Sequence, residues 1–220
     1  MENRLSLTLY YGSGSPYAWR AQLALEQKAL PYELKVLSFS AGDTRKPEFI
    51  ALNPRHQVPV LTDGDFTLYE SNAIVEYVDE AYPGRGAPLF PGDAKTRGLI
   101  RRLISEVDNY YYTASETLLE QALFKKPEER DAKLVAQGRE SAVVELGNFA
   151  KAMRGDYLAG PLSAADFALY PMVAMLRRAQ LRVPDLDADG MLPPPIKAWR
   201  ARIEALPFFG KTIPPHWKAA

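Results

Sequence analysis

Period-two alternation of apolar and polar residues occurs in this chain only before about residue 70, and nothing after it reads as a strand. Leu5, Leu7 and Leu9 alternate with Ser6 and Thr8, and Tyr32-Glu33-Leu34-Lys35-Val36-Leu37 alternates again. Each segment reads as a strand. Between them Ser15 stands where a helix N-cap belongs, with Pro16 at the first helical position. Helix-favouring residues follow from Ala18 to Ala29, and Pro31 closes the segment. Strand, helix, strand implies a parallel pair with a right-handed crossover. Pro47 to Leu52 is a short helix stopped by Asn53-Pro54. Val58 to Leu61 is a third strand, Asp63-Gly64 a hairpin turn, Phe66 to Leu68 a fourth strand, and Glu70 to Tyr82 a helix.

Pro83-Gly84-Arg85-Gly86-Ala87-Pro88 is the clearest linker in the chain. It divides the sequence into a domain over residues 1–83, a linker over 84–91 and an all-helical domain over 92–220. Helical tracts start at Pro91-Gly92-Asp93, Pro127-Glu128-Glu129, Ser163 and Pro193-Pro194-Pro195; the first two run to about Leu123 and Met153. Short connections between them suit a bundle.

Composition excludes several function classes. Lys plus Arg number 27 and Asp plus Glu number 27, so no basic surplus points to nucleic acid or an anionic membrane. There is no Cys, hence no disulfide, thiolate metal site or cysteine nucleophile. His56 and His216 are the only imidazoles, too few for an ordinary zinc site, and no metal is expected. Met1 to Leu7 lacks the apolar core of a secretory leader, and no run approaches the roughly 18–20 apolar residues of a membrane span. A soluble, cytoplasmic protein is expected.

Three short segments can carry chemistry. Val58-Pro59 is either an ordinary trans proline at a strand start or a cis turn. The cis turn exposes the Val58 N–H and C=O to an extended peptide-like ligand. Glu70-Ser71 opens a helix, so it is either a simple cap or a receptor for a ligand carboxylate at Ser71 and an ammonium at Glu70. Ser15 is either a cap alone or also a hydroxyl donor that favours a thiolate, with Ser13, Tyr10 and Tyr11 as rivals. Ser163-Ala164-Ala165-Asp166 is a capping box and reads as structural. Tyr110-Tyr111-Tyr112 cannot share one helix face, so core packing and an apolar wall are both open to them.

Taken in order, these pieces resemble the soluble glutathione transferases, most closely the serine-type plant and bacterial branches. The matching residues are Ser15-Pro16 with Arg20, Lys46-Pro47-Glu48-Phe49, Asn53-Pro54 and Gln57-Val58-Pro59. Glu70-Ser71 with Ala73-Ile74 and Tyr77, then Ser163 to Asp166 with Phe167, complete the set. The resemblance covers nearly the whole chain. It implies an α/β thioredoxin-like N-terminal domain, βαβαββα with a cis Pro59, followed by an all-α helical-bundle C-terminal domain.

By the same resemblance Ser15 activates the glutathione thiol, with Ser13 as the alternative, and Val58 pairs with the cysteinyl backbone. Gln57, Glu70 and Ser71 hold the γ-glutamyl end. Thr44 or Arg45 meets the glycyl carboxylate, and Asp108 reaches across a homodimer interface. A small apolar electrophile is expected against Tyr111, Tyr112 and the tail around Phe208 and Trp217. Glutathione is then a co-substrate, and no metal or redox cofactor is needed. The implied activity is conjugation of the glutathione thiolate to electrophiles in detoxification. Glutathione-dependent peroxide or disulfide reduction, isomerisation, and a non-catalytic interaction role on the same scaffold are the alternatives.

Overall fold

Leu7, Leu9 and Tyr11 are buried on one face of the first strand, as alternation demands. The structure is a computed structural model that describes residues 7–217. The expected strand residues Leu5 and Ser6 and most of the Met1–Leu7 leader reading lie outside the described residues. Strands β1 (Leu7–Gly12), β2 (Glu33–Leu37), β3 (Val60–Asp63) and β4 (Phe66–Tyr69) form one sheet in the order β2-β1-β3-β4. β1 and β2 run parallel; β1–β3 and β3–β4 are antiparallel. Helices α1 (Pro16–Gln27), α2 (Pro47–Ile50) and α3 (Ser71–Ala81) complete the βαβαββα order. β3 begins at Val60, two residues later than the pattern suggests, because Pro59 has no N–H to give the ladder. The Val58–Pro59 peptide is cis.

Helix α1 ends two residues earlier than expected. Ala29 takes a left-handed φ of 48°, Leu30 N–H donates to Leu25 O at 3.1 Å and Ala29 N–H to Glu26 O at 3.0 Å. These bonds form a Schellman cap, which needs no proline. All eight residues from Ala18 to Leu25 are buried, Arg20 and Gln22 included. The C-terminal segment explains part of this, since Phe209, in the short helix α9 (Phe209–Thr212), and Trp217 beyond it both contact Trp19.

The chain forms two units. Among the described residues one holds 7–90 and 207–217; the other is Pro91–Leu206. The described part of the terminal segment, expected in the helical domain, therefore belongs to the sheet unit and packs against α1. Trp19 Nε1–H donates to Thr212 Oγ1 at 3.0 Å, and Lys211 pairs with Glu26. The Pro/Gly segment is also stitched down. Buried Lys28 pairs with Asp79 at 3.0 Å, and Asp79 accepts the N–H groups of Leu89 and Phe90 at 2.9 and 3.1 Å.

The second unit begins with α4 (Ala94–Glu106), which continues through a π-helical turn at Val107–Tyr111, α5 (Tyr112–Leu119) and a second π turn at Glu120–Phe124. Then come α6 (Ala132–Ala152), α7 (Ala164–Gln180) and α8 (Pro194–Glu204). Asp93 and Asp131 cap α4 and α6. Asp131 starts α6 five residues after Lys126, where Pro127–Glu129 makes only a 3₁₀ turn. α7 is the core helix, buried almost throughout.

The Asp166 carboxylate is fully buried and accepts four hydrogen bonds: Leu158 N–H, Ser163 N–H, Ser163 O–H and Trp199 Nε1–H, at 2.8–3.1 Å. Burial pushes its carboxyl up to about 6 against the pull of those donors. An unfolded Asp titrates near ~3.9. The native state therefore binds the extra proton between about pH 4 and 6, and Asp166 subtracts stability as pH rises through that window. Chemical denaturation of Asp166→Asn across pH 4–6 is expected to show a flatter stability profile than the parent chain.

Candidate functional site

Strand register gathers the candidate residues at one end of the sheet. Gly12 pairs with Leu37, Tyr10 with Val60, and Val60 with Tyr69. The exits of β1, β2 and β4 and the entry of β3 therefore lie side by side. From these ends leave the turn Ser13–Ser15, the loop bearing Thr44 and Arg45, the segment Gln57–Pro59, and Glu70–Ser71. Gly12 sits where they crowd together. A Cβ there would stand 2.9 Å from Val58 Cγ2 and 2.3 Å from the Phe39 ring.

Ser15 N–H donates to Gly12 O at 2.9 Å, closing a tight turn whose third residue, Gly14, has φ +89°. A type II turn requires that conformation. Ser15 Oγ then accepts from Ala18 N–H at 3.3 Å as the N-cap of α1. The cap occupies a lone pair of the hydroxyl and leaves its hydrogen to donate. Cap and thiol donor are thus compatible roles, and the helix dipole favours an anion at the same place. Of the rivals, Tyr11 is fully buried, and burial pushes its phenol far above the ordinary range. Tyr10 packs against Phe49 with the Lys35 ammonium over its ring.

Helix α3 opens without a side-chain cap. Glu70, its N-cap residue, is exposed and held at φ +73°, ψ 112°. A non-glycine residue there carries strain on the order of 1–3 kcal/mol, which marks functional sites more often than packing sites. Ser71 is 7% exposed, and its Oγ accepts from Arg20 Nη1 at 3.3 Å. Arg20 also donates to Asn72 Oδ1 and lies over the Tyr17 ring. A buried guanidinium therefore backs the positive end of α3, where a ligand carboxylate would sit. In the sequence Arg20 is only one residue of the matching set. Its role depends on a contact 51 residues away, which no local pattern encodes.

The remaining loops are braced. Asn53 is buried; its Nδ2 donates to Gln57 O at 2.8 Å, and its Oδ1 accepts Arg55 N–H at 2.9 Å. That fixes the approach to Val58, which is half-buried, while Gln57 is exposed. Asp43 accepts Ser38 N–H at 2.8 Å and pairs with Lys46 at 2.7 Å. The Lys46 ammonium, then the Ser38 N–H, holds the Asp43 carboxyl below the usual carboxylate range. In the turn so fixed, Thr44 is nearly buried and Arg45 is exposed.

The helical unit holds the other candidates. Asp108 is half-buried in the first π turn. Tyr111, expected as part of an apolar wall, is instead fully buried edge-on to Phe149, and its hydroxyl has no partner. It is a core residue of this unit. Tyr112 is partly exposed and donates to Glu116 at 3.2 Å, and Tyr110 is 60% exposed. Among the described residues there is no cluster of three or more metal-ligating side chains, and no helix is long and apolar enough to cross a membrane.

Known proteins resemble this chain along nearly its whole length. Residues 5–80 match the family described as glutathione S-transferase, N-terminal domain, and residues 112–207 match its C-terminal domain. The chain is 32% identical over 214 residues to glutathione S-transferase 3 of Zea mays, covering 94% of this chain and 93% of that protein. It is 32% identical over 199 residues to glutathione S-transferase A of Pleuronectes platessa, covering 83% and 84%. Among solved structures it is similar to a glutathione S-transferase from the Antarctic clam Laternula elliptica, with a TM-score of 0.81, 33% identity and coverage of 98% and 95%. The four-stranded sheet with its βαβαββα order and the helical second unit are that family's architecture, and this chain belongs to the glutathione S-transferase family.

Proposed function

We propose that this protein binds reduced glutathione at the strand-end face of the sheet unit and presents its sulfur as a thiolate to a small apolar electrophile. The observation that carries the reading is the convergence of Ser15, Val58, Glu70 and Ser71 on one end of the sheet by strand register. Ser15 donates to the sulfur. Val58 pairs its backbone with the cysteinyl residue beside Pro59. Ser71 and the uncapped start of α3 receive the γ-glutamyl carboxylate, with Arg20 behind them. Glu70 and Gln57 face the ammonium end. Of Thr44 and Arg45, the exposed guanidinium of Arg45 suits the glycyl carboxylate better.

Conjugation follows because a thiolate held beside an electrophile gains both nucleophilicity and proximity. Of the two tyrosines expected to meet an electrophile, Tyr112 is partly exposed and open to an apolar ligand, whereas Tyr111 is buried. A detoxifying role, a cytoplasmic location and a homodimer with Asp108 at its interface belong to the same reading. The exposed Phe66, packed on Tyr77, is an apolar surface that a second copy could cover.

Calorimetric titration with reduced glutathione tests the binding half. The parent chain is expected to bind one glutathione per chain. Glu70→Gly relieves the strained φ, so it should melt no lower than the parent. Losing a charge-assisted contact worth about 1.5–3 kcal/mol should still weaken its binding roughly tenfold to a hundredfold. Equal affinity in the variant would remove Glu70 from the site.

A further inference from the structure

The C-terminal tail makes one contact that the reading above does not use. His216 Nδ1 lies 2.6 Å from Ser13 Oγ, across 203 residues of sequence. Trp217 Nε1 lies 2.9 Å from the other ring nitrogen, Nε2. An indole N–H can only donate, so Nε2 must be the accepting nitrogen. The imidazole proton is then on Nδ1, and Nδ1–H donates to Ser13 Oγ. This arrangement makes His216 a donor to Ser13 and not a base for it. With its oxygen so engaged, Ser13 retains its own hydrogen to donate elsewhere.

The tail is built onto this turn. Trp217 packs edge-on to Trp19 at 5.3 Å between ring centres, and Trp19 is bound in turn to Thr212. Gly14 leaves room for the imidazole, because a Cβ there would stand 2.8 Å from His216 Cε1. The turn itself is closed by Ser15 N–H on Gly12 O and does not need His216 for its shape. A hydrogen bond between two solvent-accessible side chains adds little stability, so folding alone does not account for it.

We propose that His216 is a positioning residue for thiol activation: it fixes the Ser13 hydroxyl so that Ser13 donates to the glutathione sulfur alongside Ser15. The proposal rests on the glutathione-binding reading. It gives the site two hydroxyl donors on one turn, the second held from the far end of the chain.

The test is a spectroscopic pH titration of the thiolate of bound glutathione in the parent chain, His216→Phe, Ser13→Ala and the double variant, with calorimetry on each. Phe keeps the ring beside Trp217 and removes the donor. Each single variant is expected to raise the bound thiol pKa by about half a unit to one unit, roughly threefold to tenfold in thiolate below the pKa. Glutathione affinity should stay within about twofold, since the thiol is a small part of the ligand's contacts. The double variant should shift no further than either single one, and His216→Gln, which restores a donor, should recover part of the shift. An unchanged titration in His216→Phe, or a double variant that adds the two shifts, overturns the proposal. Glutathione that fails to bind the parent chain sinks the underlying reading and the proposal with it. Intact binding with an unmoved pKa sinks the proposal alone.

Discussion

Asp166→Ala is expected to unfold the helical unit or leave it barely stable. The substitution removes the acceptor of four buried donors at once. A buried donor left unsatisfied costs about 1–3 kcal/mol. Even if water reaches two of the four, the remaining loss is about 2–6 kcal/mol, comparable to the roughly 5–15 kcal/mol that holds a domain together. By contrast Ser163→Ala removes one donor and part of a cap, for about 1 kcal/mol. Denaturant midpoints of the two variants separate these effects. If Asp166→Ala lost no more than Ser163→Ala, the carboxylate would be a dispensable cap and not the centre of the unit.

Ser15→Ala is expected to lower kcat/KM for conjugation by about tenfold to a hundredfold, with little change in the KM for glutathione. The estimate comes from the thiol. A free thiol titrates near ~8.5, and one or two units of depression is what a hydroxyl donor at a helix N-terminus can supply. Losing this donor moves the sulfur back toward its protonated form at neutral pH, with Ser13 the hydroxyl that remains, while the contacts at Val58, Glu70 and Ser71 stay in place. The same change removes the cap on Ala18 N–H, for about 0.5–2 kcal/mol of stability. Rates must therefore be read where the variant is fully folded. An unchanged rate would reduce Ser15 to a cap and move the search to Ser13.

Local chemistry carried most of the fold into the sequence. Leu7 and Leu9 gave β1 its buried face, Ser15-Pro16 marked the start of α1, and Asp63-Gly64 marked the hairpin, where Gly64 takes φ +61°. Each depends on residues within a few positions of one another. What the sequence did not show was set by partners far away or by backbone choices the residue type does not reveal. Ala29 gives no sign that it will adopt a left-handed φ, so the sequence points to Pro31 as what closes α1. Three consecutive tyrosines do not reveal that Tyr111 turns into the core against Phe149. The capping box at Ser163 was legible, but Trp199, 33 residues on, as the fourth donor was not.

The site divides in the same way. Ser15, Val58, Glu70 and Ser71 came from motif order, and the register of the sheet explains why that order places them together. Arg20 behind Ser71 and His216 behind Ser13 depend on contacts 51 and 203 residues apart, and only the folded chain brings them together.

The most direct test of thiol activation is the pKa of the glutathione thiol when bound to the parent protein, read from thiolate absorbance against pH. A value one to two units below the ~8.5 of a free thiol, rising toward it in Ser15→Ala, is the expected result. Saturable binding with a thiol that titrates as it does in free solution would contradict thiol activation at this site.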